Sequence, residues 1–396
     1  MTDVVIAAAI RTPIGKYGGA FRDTHPRDLA IPTLQHVLAA GHLTPEEFAA
    51  GDGVVIYGCG RQASYGPNVA RQIAVKGGLP VTVPAWTVNQ ACASGLRAVL
   101  DGVQEIATGA SRWAIVGGTE SMSGLPYYVM NARWGMRLGS QPLVDAMYQD
   151  GFNCPLAEMP MGATADYLAA KEGIDRGASD AYALESYTRA VSAQTAGVLA
   201  EEILPITLVD AKGRATTVSL DEAVRESSLE ALAKLTPVFN PEGVVTAGNA
   251  SAITDGAASL LLLKAEDATA RGVEPLARIV AWSSVGVDPR EMGIGPVPAV
   301  EKLLRQTGLA MEQIDLWELN EAFACQVLAC NKYLQIPADR LNISGGGISI
   351  GHPIGATGAR ILLTLAYALR RRGVHRGIAT LCVSGGQGVA VLIERG

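Results

Sequence analysis

Three short segments rich in small residues each carry one reactive side chain. Val88–Gly95 (VNQACASG) holds Cys92, Gly351–Arg360 (GHPIGATGAR) holds His352, and Cys382–Gly388 (CVSGGQG) holds Cys382. A thiol can carry a transferred group, an imidazole can take that thiol's proton, and a second thiol can remove or return a proton at carbon. Glycine has no Cβ, so backbone built from it lets a ligand approach closely. Three such segments in one chain point to an enzyme working by nucleophilic catalysis with acid–base assistance.

Each reactive residue needs an element to hold it. After Cys92, Leu96, Val99, Leu100, Val103 and Ile106 recur at helical spacing, which predicts a buried helix starting near Ser94–Gly95. A cysteine there meets the positive end of the helix dipole, so the thiolate is expected to be favoured. His352 lies between Gly351 and Pro353, ahead of a second amphipathic helix with Ile361, Leu362, Leu365 and Leu369 on its apolar side. Lone cysteines and histidines are often plain packing residues. The flanking Asn89, Ser94 and Gly95, and two glycines and a proline around His352, favour rigid open turns instead. Cys382 ends a hydrophobic strand, where packing and chemistry are both open readings.

The segments recur in a repeated frame. Leu43–Gly60, Pro84–Val99 and Trp113–Met122 read as helix start and strand, then strand–turn–helix, then a strand ending in glycines. Leu309–Phe323, Asn342–Leu362 and Gly377–Val389 run in the same order, and Val4–Gly19 matches Ala277–Gly295 in pattern. Alternating strands and helices call for sheets covered by helices. Two alike halves packed together place Cys92 and His352 at equivalent corners of one cleft. Between them, about 123–245 differs in texture, with a helix expected at Ser179–Gly197 and polar turns at Asp210–Arg214. It reads as a lid, a substrate-binding insertion or an oligomer contact.

Composition excludes several other classes. At 396 residues the chain exceeds one usual core, so two or more lobes are expected. Hydrophobic residues at 48% against charged residues at 18% is the reverse of a disordered balance. A net charge of −6 without long charge blocks argues against a nucleic-acid surface. Arg370–Arg372 before Gly373 reads as a helix C-terminus, where cations favour the dipole. Met1–Ile10 carries Asp3 and no basic start, so it reads as a buried strand and not a secretory signal. No run of roughly 18 apolar residues occurs, so no membrane span is expected. Cysteines 59, 92, 154, 325, 330 and 382 include no CxxC pair, and none of the five histidines has a ligand neighbour at helical spacing. Neither a metal site nor a disulfide scaffold is expected, and a reducing, cytoplasmic compartment fits.

VNQACASG, Asn320–Glu321–Ala322–Phe323, GGGISIGHPIGATGAR and CVSGGQG, in this order, closely resemble the motifs of the thiolases. The likeness runs from Ile10–Gly15 (IRTPIG) to the final strand and takes in Val245–Asp255 (VTAGNASAITD) and Met292–Pro298 (MGIGPVP). It implies an α/β, thiolase-like fold, with two similar βαβαβ-containing halves forming a layered αβαβα core and an inserted loop domain. The halves would be 1–122 with about 246–270, and 271–396, around the insertion 123–245. A homodimer or homotetramer is implied.

The resemblance also implies roles. Cys92 would carry the acyl group as a thioester, His352 would activate it, and Cys382 would move the proton at the α-carbon. Asn320 would hold a water that forms one oxyanion hole with His352, and main-chain N–H groups of Cys92 and Ser384 would form the other. Ser251 would contact the pantetheine or phosphate region of CoA, and Arg225 would lie near its adenine. Phe239, Met161, Met292 and Phe323 would line the pantetheine and acyl channel. The implied reaction is reversible cleavage of a 3-oxoacyl-CoA by CoA to acetyl-CoA and a shortened acyl-CoA, or condensation of two acetyl-CoA. CoA is then a substrate, and no cofactor or metal is needed.

Two positions depart from the family pattern. Ser384 stands where many thiolases have glycine, and serine tolerates a left-handed backbone poorly. Pro160 precedes Met161 where acetoacetyl-specific biosynthetic members often carry histidine, which leaves degradative cleavage open. Competing readings are a thiolase-fold ketosynthase, which relies on a His/His or His/Asn pair, and a non-catalytic acyl-CoA binder, which lacks one of the reactive groups.

Overall fold

The computed structural model describes residues 3–210 and 212–396. The first strand, expected at Met1–Ile10, runs Val4–Arg11, and Met1 and Thr2 lie outside the described residues, as does Ala211 in the Asp210–Arg214 turn. Nine strands form one path: β1 (Val4–Arg11), β2 (Val54–Gly58), β3 (Ala85–Val88), β4 (Ala114–Glu120), β5 (Thr254–Lys264), β6 (Ala277–Gly286), β7 (Leu316–Leu319), β8 (Arg376–Val383) and β9 (Gln387–Arg395). Every residue of β1, β2 and β4 is buried, because both faces of the sheet are covered.

The spatial order is β3-β2-β4-β5-β1-β6-β9-β8-β7, and it is a duplication. β2 pairs in parallel with β4 as β7 does with β8. β4 pairs antiparallel with β5 as β8 does with β9, and β5 with β1 as β9 does with β6. The halves meet at Val5–Arg278 and Ile6–Ala277. Among the described residues β3 has no counterpart: in place of the strand expected within Asn342–Leu362 the chain makes only isolated bridges, Trp317–Leu341 just before it and Ile343–Gly345 within it. There Asn342 turns left-handed at φ 47°, and its side chain bonds both the N–H and the carbonyl of Leu319 at 2.9 Å. One amide thus satisfies the edge that a partner strand would pair.

The helices used below are α1 (Pro26–Ala40), α2 (Val69–Lys76), α3 (Ser94–Thr108), α4 (Met161–Glu172), α5 (Arg176–Thr195), α6 (Pro296–Thr307), α7 (Ala324–Leu334) and α8 (Ile354–Arg372). Strand alternation sorts the core into layers. Val54 and Ile56 face the centre, where α3 and α8 pack against them and against Leu381, Val391 and Ile393 of the other half. Val55 and Ile115 face outward onto Leu34 of α1 and Ile73 of α2. On the far side Ile378 and Leu392 meet Val300 of α6 and Val327 of α7. The result is an αβαβα sandwich.

Glycines let α3 and α8 touch backbone to backbone. A Cβ on Gly358 would lie 2.5 Å from the Leu96 nitrogen, and one on Gly95 would lie 2.7 Å from the Gly355 carbonyl. This contact brings together the N-termini of both helices and therefore Cys92 and His352. α8 ends at Arg372 with Gly373 at φ 66°, closing on the carbonyls of Arg370 and Leu369. In the insertion, α5 starts at Arg176 and not at Ser179, because the Asp175 carboxylate caps the Ala178 N–H at 2.7 Å. Buried Arg11 bonds Glu202 and Asp221, each at 2.7 Å, and so ties residues of the insertion to β1. Among the described residues no helix is long and apolar enough to cross a membrane.

Candidate active site

The cysteine turn is strained and held by its own polar side chains. β3 ends at Val88. Asn89 Oδ1 accepts the Ala91 N–H at 2.9 Å, while Ser94 Oγ donates to the Ala91 carbonyl at 2.7 Å and accepts the Gln90 N–H at 2.9 Å. They fix Ala91 at φ 44°, a left-handed conformation that costs a non-glycine residue about 1 kcal/mol. The strain sits one residue before Cys92, and α3 begins two residues after it.

Cys92 lies on the wall of a cavity of about 470 Å³ together with His352, Cys382 and Ser384. The backbone N–H groups of Cys92 itself and of Ser384 act to favour its charged form. Burial works against the thiolate expected from the helix dipole. Burial pushes the Cys92 thiol up and Glu120 adds to this, outweighing Arg61 and the two N–H donors. Some of the side chain faces the cavity, yet the protein surrounds it closely enough for desolvation to dominate. The resting group is a thiol.

His352 is buried one residue before the N-cap of α8. Its Nδ1 lies 2.6 Å from Thr357 Oγ1, which is also 3.0 Å from the Pro353 carbonyl. Burial, followed by the charges of Arg360 and Arg61, lowers its pKa to about 3. The imidazole is neutral at any working pH. Cys382, at the end of β8, both packs and lines the cavity: it joins Met292 and Phe323 in an apolar cluster and is 1% exposed. Burial, then the charge of Cys92, drives its thiol well above the ordinary range.

The serine that departs from the family pattern fits without strain. Ser384 is not left-handed; Gly385 and Gly386, both at φ 85°, take the turn instead. Asn320 is not on the cavity wall. It is 1% exposed, anchored by its N–H on the Thr380 carbonyl at 3.0 Å, and its amide oxygen and nitrogen have no protein partner. Buried amides are nearly always paired, so this one has both hydrogen-bonding atoms open to a water or a ligand. The neighbouring Glu321 accepts from Ser186 at 2.7 Å, Tyr182 at 2.9 Å and the Ile348 N–H at 3.2 Å, which fixes the loop.

Ser251, Phe239, Met161, Met292 and Phe323 all line the cavity. Arg225 does not. It is exposed, donates to Tyr187 Oη at 3.1 Å and lies 5.1 Å over that ring. The wall also includes residues the sequence does not single out, among them Arg61, Tyr148 and Phe152, and Glu120 lies beneath it. Glu120 Oε2 accepts N–H groups of Gly60 at 3.0 Å and Gly355 at 2.9 Å, joining the two halves under the site. Burial lifts its carboxyl to about 7. Among the described residues no cluster of three metal-ligating side chains occurs.

A family model described as the thiolase N-terminal domain matches residues 4–266, and one described as the thiolase C-terminal domain matches 273–395. Over 396 residues, all of both chains, the sequence is 45% identical to a protein of Staphylococcus aureus (strain COL) described as a probable acetyl-CoA acyltransferase. The fold matches the Bacillus anthracis acetyl-CoA acetyltransferase with a TM-score of 0.96 at 42% identity, covering 100% of this chain and 99% of that one. It matches human mitochondrial 3-ketoacyl-CoA thiolase in complex with CoA with a TM-score of 0.93 at 39% identity, covering 99% and 98%.

Proposed function

The chain belongs to the thiolase family of acyltransferases, and from that premise we propose that it cleaves 3-oxoacyl-CoA with CoA through a thioester on Cys92. The observation that carries this reading is the cavity wall itself. Cys92, His352 and Cys382 share it, with Ser384 beside them.

In this reading His352 takes the Cys92 proton as the sulfur attacks the 3-oxo carbon. The N–H groups of Cys92 and Ser384 stabilise the resulting oxyanion, each contributing about 3 kcal/mol to the barrier reduction. The C2–C3 bond breaks, and the departing enolate, held by His352 and a water on Asn320, takes the Cys382 proton and leaves as acetyl-CoA. A Cys382 kept protonated by burial suits that donor role. The Cys382 thiolate then takes the proton of incoming CoA, whose sulfur attacks the thioester. The product is a shortened acyl-CoA, and Cys92 recovers its proton from His352. The same groups in reverse order condense two acyl-CoA.

CoA as co-substrate is supported by the human relative described in complex with it. Cleavage of chains longer than four carbons is favoured, because the wall beside Cys92 continues to Phe152, Ile253 and Ile354. A homo-oligomer is supported by exposed Trp134, Leu138 and Leu143 in the insertion, a contiguous stretch that a partner would cover. The test is thiolysis kcat/KM across 3-oxoacyl-CoA chain lengths, with Cys92→Ser beside the native enzyme. A rise beyond four carbons and near-complete loss in Cys92→Ser are expected; substantial turnover by Cys92→Ser overturns the covalent mechanism.

A further inference from the structure

The cavity has two apolar sides. Met161, Phe239, Met292 and Phe323 gather around Cys382 on one. Ile354, Phe152 and Ile253 gather around Cys92 on the other. An acyl group bound to Cys92 therefore extends among the second set.

That side also contains a cation. Arg61 lines the cavity and is only 5% exposed. It forms no ion pair among the described residues. Its Nε has no partner, and Nη1 makes one long bond, 3.5 Å to the Gly60 carbonyl. The acid that feels its charge, Glu120, is already engaged by the N–H groups of Gly60, Arg61 and Gly355. Gly151 packs against the guanidinium so closely that a Cβ there would overlap it, which holds the group in place. A buried guanidinium without an anion is costly. Its planar fork is matched best by a carboxylate gripped through two parallel hydrogen bonds.

We infer that Arg61 forms a carboxylate-recognition site at the far end of the acyl chain, and that the preferred substrates are 3-oxo-dicarboxylyl-CoA esters. The inference rests on the thiolysis reading, because it needs the acyl group on Cys92. Arg61 is also close enough for its charge to favour a Cys92 thiolate. That second effect would act on every substrate equally, whereas carboxylate recognition acts only on diacids.

The experiment compares six- and eight-carbon 3-oxo-dicarboxylyl-CoA esters with unsubstituted 3-oxoacyl-CoA esters of equal length. The native enzyme is expected to favour the diacid by more than about 10-fold in kcat/KM at one of these lengths. Arg61→Leu should lower that ratio by about 100-fold, the effect of losing a charged bidentate partner, while Arg61→Lys should keep part of it. A native ratio at or below one, or an equal loss on both substrates in Arg61→Leu, overturns the inference. If Arg61→Leu does not fold, the native ratio and its reduction in Arg61→Lys decide the matter. Cleavage of simple chains with rejection of diacids sinks only this proposal; no cleavage of either class sinks the thiolysis reading as well.

Discussion

His352 Nδ1 and Thr357 Oγ1 lie 2.6 Å apart across the first turn of α8, and the threonine oxygen is 3.0 Å from the Pro353 carbonyl. A hydroxyl has one hydrogen. With that hydrogen given to Pro353, Thr357 accepts from Nδ1–H, and Nε2 is left with a free lone pair. A neutral imidazole in this tautomer is a base ready to take a thiol proton.

Thr357→Val keeps the shape and removes the acceptor. Thiolysis kcat should fall about 10- to 100-fold, the range for losing a group that orients a reactive histidine. Thr357→Ser should recover most of it and melt close to native, whereas Thr357→Val, which leaves the buried Nδ1–H unpaired, should melt a few degrees lower. A valine variant with native kcat would mean that the tautomer is fixed by something else.

The resting state of Cys92 has its own signature. Burial raises the thiol above its ordinary value, so the thiolate fraction grows with pH throughout the neutral range. Iodoacetamide labelling of Cys92 should accelerate about 10-fold per pH unit from 6 to 8.5, because the thiolate fraction does so below the pKa. It should be blocked by an acyl-CoA. A plateau beginning near pH 6 would reveal the thiolate that the helix N-terminus alone suggests.

Much of this architecture was readable in the residues, and the failures have physical causes. The paired segments around Cys92 and His352 fold alike because each couples a glycine-bearing turn to a strong 3.6-residue apolar period. The strand expected after Asn342 fails because a side-chain amide does a strand's work at Leu319, and no periodicity reports that. At Cys92 the helix dipole is visible in sequence order, while the desolvation that opposes it depends on what other segments bring near. Arg61 is silent in the sequence for the same reason: its place in the wall is set by Gly151, far away in the chain.

The contact between α3 and α8 can be tested without touching the chemistry. Gly358→Ala places a methyl 2.5 Å from the Leu96 nitrogen, a backbone atom that can move only with its helix. Overpacking of this kind costs about 1–3 kcal/mol. The variant should melt several degrees lower, and kcat should fall as well, since the shift separates the turns that carry Cys92 and His352. A stable, fully active Gly358→Ala would show that the two helices have slack between them.

Two buried carboxyls make stability depend on pH in an unusual direction. Burial raises Glu120 to about 7 and Glu318 to about 8 from an ordinary 4.5, with Arg61 and Arg360 respectively opposing the shift. Between 4.5 and these values the folded chain holds protons that the unfolded chain has released, so unfolding free energy falls as pH rises. Each carboxyl contributes a slope of at most about 1.4 kcal/mol per pH unit. Glu318→Gln removes one titration and also the 3.7 Å contact with Arg360, so its absolute stability can move either way. The readout is the slope. The decline in stability from pH 5 to 8 should be shallower in Glu318→Gln than in the native enzyme, and parallel curves would mean that Glu318 ionises normally beside Arg360.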